Sequence, residues 1–162
     1  MEIKMQEGLN FRANVAALIR IGDHYLRCQR SDHHGVWQTV QGGIEEIDAN
    51  PVEALLRELE EELGVNAEVV TIVAQSRCWR RYFFPDEILA KHPERTNIGQ
   101  EQMWFLVELP DLSQVQLSRS EGEFCSTELV SLETLMANIV SWKLPVMKDF
   151  CYEMGLLIPF PA

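Results

Sequence analysis

Residues 57–65 read RELEEELGV, and with Glu53 just upstream they crowd five glutamates onto one short segment. The flanks make that segment a helix. Asn50 is a good N-cap, Pro51 suits the first helical position, Glu53 completes an N-x-x-E capping box, and Gly64 offers a left-handed stop. These signals predict a helix over 51–63. At about 100° per residue, Val52, Leu55, Leu56, Leu59 and Leu63 form one apolar stripe, with Glu58, Glu61 and Glu62 converging on the flank beside it. Glu53 and Glu60 point elsewhere, and Arg57 stands four residues before Glu61, where an ion pair can form. Exposed like charges at that spacing repel by only about 0.2–0.5 kcal/mol, so a solvated acidic face would be tolerated. Beside an apolar stripe the dielectric is lower, and two carboxylates about 4 Å apart repel by roughly 4 kcal/mol at an effective constant near 20. That favours a bound divalent cation, and hard carboxylate oxygens suit Mg²⁺ or Mn²⁺.

The chain has 162 residues, 46% of them hydrophobic, which is enough for one domain over 1–162 with a core that needs no staples. Its 25 acidic residues outnumber 14 Lys and Arg, giving a net charge of −11, which argues against a broad electrostatic footprint on a nucleic-acid backbone. Cys28, Cys78, Cys125 and Cys151 form no C-x-x-C pair, and the start MEIKMQEGLN lacks the apolar run of a signal peptide. Reduced thiols and a cytoplasmic location are therefore expected. No apolar run approaches the roughly 20 residues needed to span a bilayer, so no membrane partner is expected. Nothing in the pattern bears on oligomeric state.

Before the helix, ANVAALIRIGDHYLRCQR (13–30) reads as a hairpin turning at Gly22-Asp23, and GVWQTV (35–40) as a strand running into Gly42-Gly43. After it, 67–84 reads as one long or two short strands, 85–100 as an irregular connection punctuated by Pro85, Pro93 and Gly99, and 101–109 as a buried strand that makes core of Trp104 and Phe105. Past the Pro110-Asp111 turn come a strand at VQLS (115–118), a loop, a strand near 126–131, a short helix from SLETLMANI (131–139) and a last helix in 144–154. His33-His34 lacks metal-ligand spacing and reads as a solvent loop. Strands alternating with a few helices predict an α/β layered domain.

Gly42, Arg57, Glu58, Glu61, Glu62 and Gly64, with aliphatic Leu59 and Val65, resemble the Nudix box, a glycine followed at set spacing by R-E-U-x-E-E-x-G-U, where U is aliphatic. At very roughly 6% usage per residue type, six such positions match by chance on the order of once in 10⁵ chains of this length. The resemblance implies an α/β/α sandwich around a mixed β-sheet. It also implies that the Gly42 carbonyl and Glu58, Glu61 and Glu62 hold Mg²⁺, with Mn²⁺ as a substitute, against a diphosphate, while Arg57 orients the helix carboxylates. One position departs from the box. Counting from Gly43, the glutamate that usually precedes the helix is Ala49; counting from Gly42 it is Asp48, with one extra residue before Arg57. In the family that glutamate braces the loop against the arginine, so a looser loop is expected here, and the glycine that supplies the carbonyl stays open between the two.

FRANVAALI (11–19), VWQTVQGGI (36–44), CWRRYFFP (78–85) and IGQEQMWFLVEL (98–109) further resemble the bacterial RNA pyrophosphohydrolase and dinucleoside polyphosphate hydrolase group, over roughly residues 11–152. That similarity implies a nucleotide 5′-polyphosphate substrate contacted by Arg12, Arg30, Gln38 and Tyr82. In VSWK (140–143), Trp142 would stack on a base and Lys143 would meet a phosphate. Within EGEF (121–124), Glu123 matches a metal ligand or general base, a role it shares with Glu62. Each of these has a plain alternative: Glu123 as a solvated acid, Trp142 as core. The net charge favours free dinucleoside polyphosphates over RNA 5′ ends. A pterin triphosphate, from WQTVQGGIEE (37–46), and a catalytically silent nucleotide-binding module are the remaining alternatives.

Overall fold

The computed structural model describes residues 10–158. Residues 1–9, most of the start read for a signal peptide, and 159–162 lie outside the described residues. Gly22, at φ 64°, turns β1 (Phe11–Ile21) back along β2 (His24–Arg30) as expected. β1 runs down the middle of an eight-stranded sheet, parallel to β7 (Gly99–Glu108) and antiparallel to β4 (Val40–Gly43). β3 (Trp37–Gln38) and β8 (Phe124–Val130) both pair with β2, while β5 (Thr71–Gln75) and β6 (Arg80–Phe83) divide the far side of β7. One parallel pair among antiparallel ones makes the sheet mixed.

Alternation along β1 explains the layering, because successive side chains point to opposite faces. Val15, Ala17 and Ile19 enter a core shared with Leu55, Leu59 and Leu63 of α1 (Pro51–Leu63). Ala16 and Leu18 enter a second core, shared with Leu135 of α3 (Leu132–Ala137) and Phe150 of α4 (Leu144–Glu153). Trp104 and Phe105, adjacent on β7, split between the two. Helices therefore cover both faces of the sheet.

Four expectations about elements need correction. GVWQTV is two strands, since residues 37–38 pair with β2 and residues 40–43 with β1. Strand structure in 67–84 begins only at Thr71, because Ala67–Val69 is a 3₁₀ turn capped by the Asn66 side chain, and 67–84 thus holds two strands. The connection 85–100 contains α2 (Asp86–Lys91), whose acids in the first turn and lysine in the last complement the helix dipole. VQLS forms no strand. It lies between and within the 3₁₀ turns Leu112–Gln114 and Leu117–Arg119, which pack Val115 and Leu117 against the α1 core, with Gln116 N–H donating to the Leu63 carbonyl at 2.8 Å.

Candidate active site

α1 spans the expected residues. Asn50 Oδ1 accepts from Glu53 N–H at 3.0 Å, and Gly64 closes the helix at φ 63°. Glu53 reaches back one residue further than a capping box would, accepting from Ala49 N–H at 2.7 Å. With the leucines inward, Glu58 and Glu62 are buried at 7% and 5% exposure, whereas Glu61 stays partly exposed and is drawn to Arg57 at 3.3 Å.

Glu62 Oε2 is buried without a hydrogen-bond donor among the described residues, and the carboxylates of Glu58 and Glu123 stand beside it. Burial, then the proximity of Glu123 and Glu58, holds the Glu62 pKa far above the ordinary carboxylate range. Burial also raises Glu58, against the opposing pull of Arg57. Glu123 owes its place to a loop pinned on two sides. Glu121 N–H donates to the Glu61 carbonyl at 2.7 Å, while Ser31 N–H donates to the Glu123 carbonyl at 2.9 Å and Ser31 Oγ to the Gly122 carbonyl at 2.6 Å.

The loop before the helix is not loose. Arg57 donates from Nε and Nη2 to the two Asp48 oxygens at 3.1 and 2.8 Å, from Nη2 to the Gly43 carbonyl at 2.9 Å, and from Nη1 to Glu58 Oε1 at 2.9 Å. Asp48, rather than Ala49, thus takes the bracing position, and its bond to Arg57 holds its pKa below the usual range. The paired glycines have separate tasks. A Cβ on Gly42 would coincide with the Glu58 carboxylate, and one on Gly43 with the Arg12 guanidinium. With the Gly43 carbonyl engaged by Arg57, Gly42 is the glycine at the acid cluster.

On the opposite face of the sheet lies a cavity of about 400 Å³, within the size range of small-molecule sites. Trp142 forms one aromatic wall with Tyr82 and Phe84, at ring distances of 5.5 and 6.0 Å. Gln38, Arg30 and Lys143 also line it, so five of the six substrate-side candidates share one space. Arg12 is the exception: it sits at Gly43, outside the cavity lining, although its charge bears on Tyr82. Arg30 forks onto Asp32 at 2.8 and 2.7 Å, and the charges of Glu123 and Glu62 also bear on it. Burial, then Arg30, depresses the Lys143 pKa to about 8, with Glu123 opposing. Arg95, on the connection read as irregular, lines the cavity with its guanidinium 4.7 Å from the Phe84 ring centre, and His33 faces it too. No Asp or Glu is among its lining residues.

The Nudix domain model matches residues 10–150. The chain belongs to the Nudix family. It is 37% identical over 144 residues to an RNA pyrophosphohydrolase of Helicobacter pylori, covering 86% of this chain and 90% of that one. To the RNA pyrophosphohydrolase of Acinetobacter baylyi it is 32% identical over 157 residues, covering 96% and 94%. The solved structure of the E. coli dihydroneopterin triphosphate pyrophosphohydrolase shares the fold, with a TM-score of 0.69 at 20% identity over 88% of this chain and 98% of that one. This Nudix chain is a pyrophosphohydrolase, of a family that uses divalent metal ions and acts on nucleotide polyphosphates. None of its described helices is long and apolar enough to cross a membrane.

The residues present fit a hard divalent ion. The donors are oxygens, Glu62 Oε2 lacks a partner, and the gap at Gly42 is what admits Glu58. Among the described residues no three acidic, imidazole or thiol groups close around one point. Sequence reasoning left the brace open between Asp48 and Ala49, and missed Ser31 as the pin of the Glu123 loop and Arg95. Asp48 and Ser31 act through loop geometry that no local pattern encodes, whereas Arg95 follows a short helix whose charge pattern was visible.

Proposed function

We propose that this Nudix enzyme removes pyrophosphate from the 5′ end of triphosphorylated RNA. The observation that carries the proposal is the make-up of the cavity: aromatic walls, Arg30, Arg95 and Lys143, and no acid, in a chain of net charge −11. A base would stack on Trp142, its phosphates would meet Lys143 and Arg30, and the polyphosphate would run on toward Glu58, Glu62 and Glu123. The curated relatives, similar over most of the chain, support the same substrate. Bound there, Mg²⁺ would neutralise phosphate charge and acidify a water. Glu58, Glu61 and Glu62, with the Gly42 carbonyl, would be its ligands. Glu62 or Glu123 accepts the proton of the attacking water, and Arg57 holds Glu58 and Glu61 in place by direct bonds. Arg12, seated on Gly43, adds a cation near the phosphates.

The second reading is hydrolysis of dinucleoside polyphosphates, favoured by the excess of acid, which a small nucleotide tolerates better than a long strand does. Product analysis with Mg²⁺ on a 5′-triphosphorylated RNA oligomer beside diadenosine tetraphosphate separates the two. Faster release of pyrophosphate from the RNA is expected. Faster cleavage of the dinucleotide assigns the cavity to a small nucleotide, and cleavage of neither removes both.

A further inference from the structure

On the α1 side of the sheet, beyond the end of the helix core, lies an aromatic step. Side chains on a strand alternate, so Phe11 and Ala13 share the face of Val15, which belongs to the α1 core, while Arg81 and Phe83 face away from Tyr82 and Phe84 of the second core. Phe11 and Phe83 both pair with Gly99, and the missing side chain there lets the two rings meet edge to face at 5.2 Å. A Cβ on Gly99 would press on the Phe11 ring. Arg81 covers Phe11 with its guanidinium 4.5 Å from the ring centre and stands 3.5 Å from Glu101. Phe83 is left open, 57% exposed, and Ala13 is exposed too. Along β1 this face leads to the acid cluster. Val15, four residues from Phe11 and so about 13 Å away, pairs with Gly42, the glycine against which the Glu58 carboxylate lies. The Glu123 loop, which leads into β8 on β2, lies on one side of β1, and Phe83, on β6 beyond β7, lies on the other.

We infer that the Phe11–Phe83 step, with Arg81, is a second base platform, which holds the nucleoside joined to the far end of a polyphosphate bound at the acid cluster. The ligand class is a dinucleoside polyphosphate, either free or formed where a nucleoside caps an RNA 5′ end. Every base has a π face, so an exposed ring can stack on it whatever the sequence. Arg81 adds the cation that an anionic nucleotide favours beside that ring. The strand distance of about 13 Å is one that a ribose and its phosphates can bridge. A plain 5′-triphosphate ends in its γ-phosphate and leaves the step empty. The inference rests on the reading that polyphosphates are cleaved at Glu58, Glu62 and Glu123, and it adds a place for the second nucleoside.

The test compares KM for a 5′-triphosphorylated RNA oligomer with KM for the same oligomer carrying adenosine on its γ-phosphate, and adenosine 5′-tetraphosphate with diadenosine tetraphosphate. Each pair differs in the far nucleoside. Phe83→Ser is expected to raise KM about tenfold for the member that carries this nucleoside, the scale of one lost base stack, and to leave the other member unchanged. Phe83→Trp should keep the wild-type value, and Arg81→Gln should act in the same direction as Phe83→Ser. Because each variant is read as a ratio within a pair, any common loss of rate or stability cancels. Whether the free dinucleotide, the capped RNA or both respond tells which source of ligand the platform serves. Calorimetric titration with the two free nucleotides in chelator reads the same difference without hydrolysis. If nothing is cleaved, yet the dinucleotide binds more tightly than the tetraphosphate in wild type and not in Phe83→Ser, the hydrolase reading fails and the platform stands. Equal effects on both members of each pair, or no effect in Phe83→Ser, would overturn it. So would sedimentation that finds wild type a dimer and Phe83→Ser a monomer, because the step would then face a second copy of this chain.

Discussion

A carboxylate whose oxygen is buried with no donor among the described residues, as Glu62 Oε2 is, gains most in its charged form when a cation joins it. Without metal, its raised pKa means that the folded chain holds a proton the unfolded chain has released at any pH above about 4.3, so stability falls as pH rises from there toward the folded value. Glu62→Gln removes that penalty. In chelator at pH 8 the variant should melt a few degrees above wild type, Mg²⁺ should raise the melting temperature of wild type more than that of the variant, and turnover should fall by about 10² or more. Equal melting and equal turnover would take Glu62 out of the site. Lys143 has the opposite sense. Its folded pKa of about 8 lies below the unfolded value near 10.4, so the unfolded chain binds more protons between the two, and the cost of burying it is relieved as pH rises through that window. For an anionic substrate the consequence is loss of a positive charge: KM should climb above about pH 8, and Lys143→Arg should flatten that limb, which a pH series of initial rates would show. That Glu58 and Glu62 lie side by side on α1 was legible, because helix period places them together, while Glu61 turns outward to Arg57. That Gln100 and Arg95 share one cavity was not, because strand register and a loop bring them together.

Loop and helix together set what the box can hold. The helix was legible to the residue, since cap, proline and stop are all local signals, but the double glycine preceding it was ambiguous until its neighbours were seen. Each glycine clears space for a different side chain, so the two alanine variants should fail differently. Gly42→Ala drives a methyl into the Glu58 carboxylate and should weaken the apparent Mg²⁺ affinity by about 10- to 100-fold, the usual range when a ligand's support is displaced. Gly43→Ala displaces Arg12 instead and should raise KM while leaving the Mg²⁺ midpoint in place. Titration of activity against Mg²⁺ at fixed substrate, and then the reverse, distinguishes them. The same effect in both variants would mean that the loop had simply collapsed. The misread connections share a cause: 85–100 and 110–120 are held by 3₁₀ turns, a six-residue helix and backbone bonds to α1, none of which has a period long enough to see.

Across the whole molecule, net charge and local charge oppose each other. A total of −11 describes solubility and long-range approach, yet the cavity lining holds Arg30, Arg95 and Lys143 without an acid, and Arg12 stands at the neighbouring loop. Composition alone could not reveal that separation, because it averages over a surface the fold divides. The arrangement suits a ligand recognised at its charged end only, with the rest of the strand left in solvent. Each phosphate neutralised on a single strand contributes about −0.7 to the slope of log affinity against log salt, so four cations set a limit of about −3. Screening of the acidic remainder works in the other direction and should flatten the slope further. Affinity for 5′-triphosphorylated RNA, measured on metal-free protein between about 50 and 200 mM salt, should therefore follow a slope shallower than about −3. It should also be the same for a short oligomer as for a long transcript with the same 5′ end. A steeper slope, or affinity that grows with RNA length, would require a second nucleic-acid surface beyond the cavity, on a face where acids outnumber bases.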